Sequence, residues 1–107
     1  KNVSSHWYGK KLLAEKYDVK VVDQRYTNSG KYWTSAGVSA GIDMSLAIVR
    51  DINGDNYTKA VMLDLEYAPK PPIEGGTVEN TDPAIVESMR GMYDSVLLPF
   101  VKQTDKK

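Results

Sequence analysis

The sequence predicts an α/β fold, and three observations carry that expectation. The first is the stretch from Tyr32 to Val49, where aromatic and β-branched residues pass through a knot of Gly, Ala and Ser into an apolar helix. The second is the alternation of short β-prone runs with amphipathic ones before it. The third is a long apolar face at helical spacing after Asp82-Pro83. Small residues at a strand-to-helix junction let backbone N–H groups approach a ligand closely, and the new helix adds partial positive charge. In open α/β sheets, sites form at the carboxyl ends of strands.

In chain order, Val3 to Ser5 is a short strand, and His6-Trp7 stands where it ends. From Tyr8 to Lys16 a short helix is expected, with Leu12, Leu13 and Ala14 inward and Lys10, Lys11, Glu15 and Lys16 in water. Gly9 weakens its first turn, and Asp18 breaks the pattern. Val19 to Thr27 and Lys31 to Ser35 flank Asn28-Ser29-Gly30 and predict a β-hairpin, its register helped by Tyr26, Tyr32 and Trp33.

The helix that follows has Ser39 as its expected N-cap, Asp43 near enough its start to favour the dipole, and Asn53-Gly54 as its stop. Ile42, Leu46, Val49 and Ile52 form its apolar stripe, widened by Ala47 and Ile48. A further helix, Tyr57 to Glu66, takes Asp55 or Asn56 as its cap. The prolines and glycines between Ala68 and Gly76 predict a loop or extended arm. Asp82-Pro83 restarts a helix with Ile85, Val86, Met89, Met92, Tyr93, Val96, Leu97 and Phe100 on one face, interrupted at Pro99, and Gln103 to Lys107 is a frayed tail.

The 107 residues suffice for one domain or part of one. Lys and Arg total 14 and Asp and Glu total 14, so no net charge argues for nucleic acid or an anionic membrane as partner. No apolar run spans a bilayer and no signal-peptide pattern opens the chain, so a cytoplasmic location is expected. Residue 1 is Lys and not Met, so a processing or expression boundary is expected there.

The absence of cysteine removes disulfides, thiolate metal sites and a Cys nucleophile from this chain. One His with scattered carboxylates lacks metal-ligand spacing, and Gly37 to Gly41 lacks the phosphate-loop and dinucleotide signatures. No metal or other cofactor is expected. Ser35 and Ser39 have no nearby His or Asp to activate them as nucleophiles.

Four segments together resemble the C-terminal half of the DJ-1/PfpI superfamily, in its isonitrile-hydratase-like branch. These are His6-Trp7 after Val-Ser-Ser; Asp23-Gln24-Arg25-Tyr26; Trp33 through Met44; and Leu65-Glu66-Tyr67-Ala68-Pro69-Lys70-Pro71-Pro72. The resemblance implies a flavodoxin-like, class I glutamine amidotransferase-like three-layer sandwich, with residues 1–107 forming the C-terminal portion of one domain. It also implies a homodimer, a small-molecule substrate, and a reactive cysteine on a nucleophile elbow assisted by an acidic residue, both upstream. The missing N-terminal half is then this chain's first partner.

On that resemblance His6 matches the histidine beside the reactive cysteine; a protonated imidazole would stabilise a thiolate and a neutral one would relay a proton. The alternative is that His6 caps the strand through a backbone hydrogen bond. Trp7 matches a pocket wall, or is core or interface packing. Ala36, Gly37 and Val38 match the turn closing the pocket, where small residues also permit close strand–helix packing. The implied activity is hydration or hydrolysis of a small electrophile such as an isonitrile. The second reading is a non-catalytic ligand-sensing domain, of this family or of an AraC-type regulator, although the tail after Pro99 is short for a DNA-binding domain.

Overall fold

The computed structural model describes the backbone of residues 1–105 and the side chains of residues 1–100. It divides into two compact units, Lys1–Pro71 and Pro72–Lys107, with the boundary inside the proline-rich stretch.

The first unit opens with a β–α–β step. Strand β1 (Asn2–Val3) and strand β2 (Lys20–Val21) pair in parallel, Asn2 opposite Lys20 and Val3 opposite Val21. The ladder is extended by Lys20 N–H donating to the Lys1 carbonyl at 2.8 Å and Val22 N–H to that of Val3 at 2.9 Å. Parallel strands cannot be joined by a tight turn, and the crossover here is helix α1 (Lys10–Lys16). It ends as Tyr17 turns extended, with its N–H still donating to Leu13.

The long strand expected from Val19 to Thr27 is in fact two strands in two ladders. The chain leaves β2 after Val21, bends through residues 23–25, and re-enters as β3 (Tyr26–Ser29). Strand β3 pairs antiparallel with β4 (Tyr32–Ser35), so Asn28 and Ser29 lie in the ladder and the turn is Gly30-Lys31. Gly30 takes the positive φ (64°) that a two-residue hairpin turn needs.

Three hydroxyls join the two ladders. Ser4 N–H donates to Thr34 Oγ1 at 2.8 Å, Ser4 Oγ to Thr27 Oγ1 at 3.3 Å, and the Thr27 and Thr34 hydroxyls share a 2.9 Å bond across the hairpin. Ser4 and Thr27 are buried, and among the described residues no buried side-chain polar atom lacks a partner. This polar seam takes the place that a band of aliphatic side chains holds in most sheets.

Helix α2 (Val38–Asn53) starts two residues earlier than an N-cap at Ser39 predicts. Extended Gly37 precedes it without a side-chain cap. Its stop is the predicted one: Gly54, at φ 83° and ψ 175°, donates its N–H to the Arg50 carbonyl. Gly54 also opens helix α3 (Asp55–Leu65), in place of the expected Asp55 or Asn56 cap, and its carbonyl accepts from both Thr58 N–H (3.2 Å) and buried Thr58 Oγ1 (2.8 Å). That backbone conformation is essentially restricted to glycine. Helix α3 closes with Glu66 in the left-handed region (φ 51°), Glu66 N–H on Leu63 and Tyr67 N–H on Met62. This is a Schellman closure, and it fixes where Tyr67 points.

The predicted α2 stripe is only partly buried. Leu46, Ala47, Ile48 and Val49 are half-buried, while Ile42 is 44% and Ile52 73% exposed. On α3, Leu63 and Leu65 are exposed too, and Ala40 is the one buried apolar residue described in this unit.

In the second unit, Thr77 to Thr81 form a local turn in which Thr77 Oγ1 accepts from Asn80 N–H. Asp82 Oδ1 then caps helix α4 (Pro83–Asp105) by accepting from Ala84 N–H at 2.8 Å, with Pro83 at the first helical position as predicted. The helix runs through Pro99, the residue that interrupts its apolar face in the sequence. The expected frayed tail is helical through Asp105, and residues 106 and 107 lie outside the described residues. Val86 is buried on α4, whereas Ile85, Val96 and Phe100 are exposed.

Two substitutions test these joints. Thr34→Val leaves buried Ser4 N–H without its acceptor and is expected to cost about 1–3 kcal/mol in urea unfolding. Gly54→Ala forces a Cβ into the glycine-only region and is expected to cost roughly 1–3 kcal/mol by the same measurement. A change near zero in either would mean that the joint does not hold the unit together.

Candidate functional site

The sequence-predicted site residues come from two neighbouring segments. His6 and Trp7 lie in the turn after β1, and Ala36, Gly37 and Val38 form the passage from β4 into α2. The bond from Ser4 N–H to Thr34 Oγ1 brings the two segments together, for Ser4 lies two residues before His6 and Thr34 two before Ala36. Both segments thus leave the polar seam side by side.

His6 is exposed, and its Nδ1 accepts a hydrogen bond from Tyr8 N–H at 3.2 Å while its carbonyl accepts from Gly9 N–H at 2.9 Å. The imidazole therefore does cap the turn. In the neutral ring this bond leaves the proton on Nε2, because Nδ1 is the acceptor. Trp7 lies 5.5 Å from the His6 ring, tilted by 34°, and meets Tyr8 edge-on at 6.1 Å.

The Ala36–Val38 turn is held from both sides by one residue, Arg25. Its carbonyl accepts Ala36 N–H at 2.7 Å, before the turn. Its guanidinium Nη2 donates to Ser39 Oγ at 3.4 Å and to Asp43 Oδ2 at 2.6 Å, after the turn. Ser39 and Asp43 are four residues apart on α2 and so share a face. Tyr67, aimed by the α3 closure, donates its hydroxyl to Asp43 Oδ1. Asp43 thus spends each oxygen on a different element.

Asp43 reads from sequence as a partner of the helix dipole or as a hydrogen bonder; it lies beyond the first turn of α2 and is the second of these, the hub of this network. The Tyr67 hydrogen bond, and then the Arg25 hydrogen bond and charge, hold its carboxyl below the usual range against the opposing effect of partial burial. The same bond, to an anion, pushes the Tyr67 phenol above its ordinary value. Arg25, Asp43 and Tyr67 each belong to one of the segments that mark the family resemblance, yet sequence reading gave Arg25 and Tyr67 no role. A basic residue and an acidic one in separate motifs were the available signal.

Arg25, Asp43 and Tyr67 also wall a cavity of about 510 Å³ floored by Leu46, Ala47 and Met62. His6, Trp7 and Ala36–Val38 do not line it. Among the described residues no group of three or more His, Cys, Asp or Glu side chains could hold a metal ion. No helix among them is long and apolar enough to cross a membrane.

The network predicts a pH profile. Asp43, lowered when folded, adds stability that is full above the unfolded carboxylate value of about 3.9 and is lost as pH falls through its lower folded value. Tyr67, raised when folded, adds stability that is full below about 10 and is lost as pH climbs through its higher folded value. In Tyr67→Phe the alkaline loss should shrink and the Asp43 carboxyl, followed by ¹³C NMR, should titrate closer to an ordinary aspartate. An unmoved Asp43 midpoint would show that Tyr67 does not set it.

No family profile matches the chain. It is 33% identical over 90 residues to an isonitrile hydratase from Pseudomonas putida, a match that takes in 84% of this chain and 39% of that protein. Among solved structures it matches a ThiJ/PfpI family protein from Pseudomonas syringae with a TM-score of 0.80 and 26% identity, over 88% of this chain and 38% of that one. The chain thus spans about two fifths of the length of these relatives. Agreement in sequence and in fold bears out the α/β class read from the residues, and both comparisons support the resemblance to the DJ-1/PfpI superfamily, in its isonitrile-hydratase-like branch, over part of those relatives' length.

Proposed function

We propose that residues 1–107 are the C-terminal portion of a DJ-1/PfpI-like enzyme domain. The domain hydrates or hydrolyses a small electrophile such as an isonitrile, using a cysteine and an acidic partner supplied by polypeptide upstream of this segment. The observation that carries this reading is the 33% identity to isonitrile hydratase over a match confined to 39% of that protein. With no cysteine of its own, the chain contributes surroundings and not the nucleophile.

Burial supports a companion segment. A parallel pair of two-residue strands is the kind of ladder that survives inside a larger covered sheet. Helices α2 and α3 leave Ile52, Leu63 and Leu65 at 73%, 80% and 62% exposure. Isolated surface aliphatics need no explanation, but several on two packed helices above a nearly absent core do. The upstream half of the domain covers them in this reading, and the complete domain works as a homodimer in the cytoplasm.

In the complete site, His6 lies beside the thiol and holds it as thiolate or passes a proton, while Trp7, Ala36, Gly37 and Val38 shape the substrate pocket. Attack of thiolate on the terminal carbon of an isonitrile, followed by water, gives overall addition of one water to form an N-substituted formamide, with the thiol regenerated.

The test is the full reading frame containing this chain, incubated with a simple alkyl isonitrile and followed by ¹³C NMR for the formamide. Turnover is expected, with loss on alkylation by iodoacetamide and a fall of roughly 10²-fold or more in His6→Ala. Residues 1–107 alone should be inactive and should aggregate or bind a companion fragment. Cooperative folding of the isolated chain as a monomer, or a full-length protein lacking any cysteine, would overturn the reading.

A further inference from the structure

The cavity walled by Arg25, Asp43 and Tyr67 is not part of the proposed reaction site, and its chemistry differs from what an uncharged isonitrile requires. Its floor is apolar, from half-buried Leu46 and Ala47 on α2 and half-buried Met62 on α3. Its volume, about 510 Å³, is within the range of small-molecule sites. The Arg25 charge on one wall is already matched by Asp43. Two further cations, Arg50 near the end of α2 and Lys59 on α3, also line it. Neither side chain has an ion pair or hydrogen bond among the described residues.

Asp55 lines the cavity as well, at the start of α3 where the helix dipole favours a carboxylate. It pairs with neither cation. Counting all five charged linings, three cations face two carboxylates, so the cavity carries a net charge of +1.

We propose that this cavity binds a small organic carboxylate with an apolar tail, the tail on Leu46, Ala47 and Met62 and the carboxylate between Arg50 and Lys59. An apolar floor alone would take a neutral molecule equally well, and two cations alone would take any compact anion. Only an amphipathic anion uses both, since charge-assisted hydrogen bonds and apolar burial are then gained together. The site is independent of which electrophile the reactive centre handles.

The test is ¹⁵N–¹H NMR titration of the full-length protein as isolated, with hexanoate, 1-hexanol and inorganic phosphate as probes. Hexanoate is expected to shift the amides of Arg50, Lys59 and Met62 saturably. Hexanol and phosphate should each bind at least about tenfold more weakly, the first through loss of the charge-assisted contacts to Arg50 and Lys59 and the second through loss of the tail. Arg50→Gln with Lys59→Gln should weaken hexanoate about tenfold while leaving hexanol binding and isonitrile turnover unchanged. Equal binding of hexanol, equal binding of phosphate, or no saturable shift in the unaltered protein would each overturn the proposal without touching the reaction assignment. Because the three probes are compared on the unaltered protein, the result does not depend on how the variants fold.

Discussion

Asp43 is the point on which the first unit turns. One oxygen takes the Arg25 guanidinium and the other the Tyr67 hydroxyl, so a single carboxylate fastens the bend before β3, the second turn of α2 and the closure of α3. The Arg25–Asp43 pair alone is a weak stabiliser: the arginine side chain is 58% exposed, and such pairs contribute about 1 kcal/mol at most. Its consequence is geometric. Because the same Arg25 also accepts Ala36 N–H through its carbonyl, the passage from β4 into α2 cannot shift without breaking bonds on both of its sides.

That constraint explains how the turn can be built from Ala36, Gly37 and Val38, residues with no side chain able to hold it. In a packed core, neighbouring aliphatics would fix a strand-to-helix junction by shape. Here they cannot, since Ala40 is the one buried apolar residue described in the unit. Hydrogen bonds fix it instead, at Arg25 on one end and at the Ser4–Thr27–Thr34 hydroxyls on the other. The result is a junction half-buried at Ala36 and Gly37 and exposed at Val38, with small side chains at its first two positions that let a ligand come close.

The residues that declared themselves in sequence were those governed by local rules. Gly54 as the stop of α2, Asp82-Pro83 as the start of α4 and a hairpin between Tyr26 and Ser35 follow from capping and turn chemistry within a few positions. What failed had a long-range cause. Val19 to Thr27 reads as one strand by composition, yet Val21 pairs with Val3 and Thr27 with Thr34, and the chain must bend between two different partners. Ser39 looks like an N-cap until Arg25, fourteen residues earlier, takes its hydroxyl. The apolar stripe of α2 was correctly located, but periodicity says which face is apolar and not what covers it. His6 shows both sides at once: the backbone cap proposed from sequence is present, and that cap is what orients the ring.

Arg25 separates two surfaces while belonging to both. Toward the β4–α2 turn it holds the wall expected to face the reactive centre; toward α3 its charge, cancelled by Asp43, is one side of the cavity. An anion entering that cavity gains little from Arg25 as long as Asp43 stays ionised, and Asp43 is kept ionised to lower pH by Tyr67. The neutralisation therefore does two things. It keeps the guanidinium on Ser39 and Asp43 instead of on a bound ligand, and it leaves the net charge of +1 with Arg50 and Lys59, against Asp55. Were Asp43 protonated, Arg25 would become available to an anion, and the turn it clamps would lose one of its two anchors.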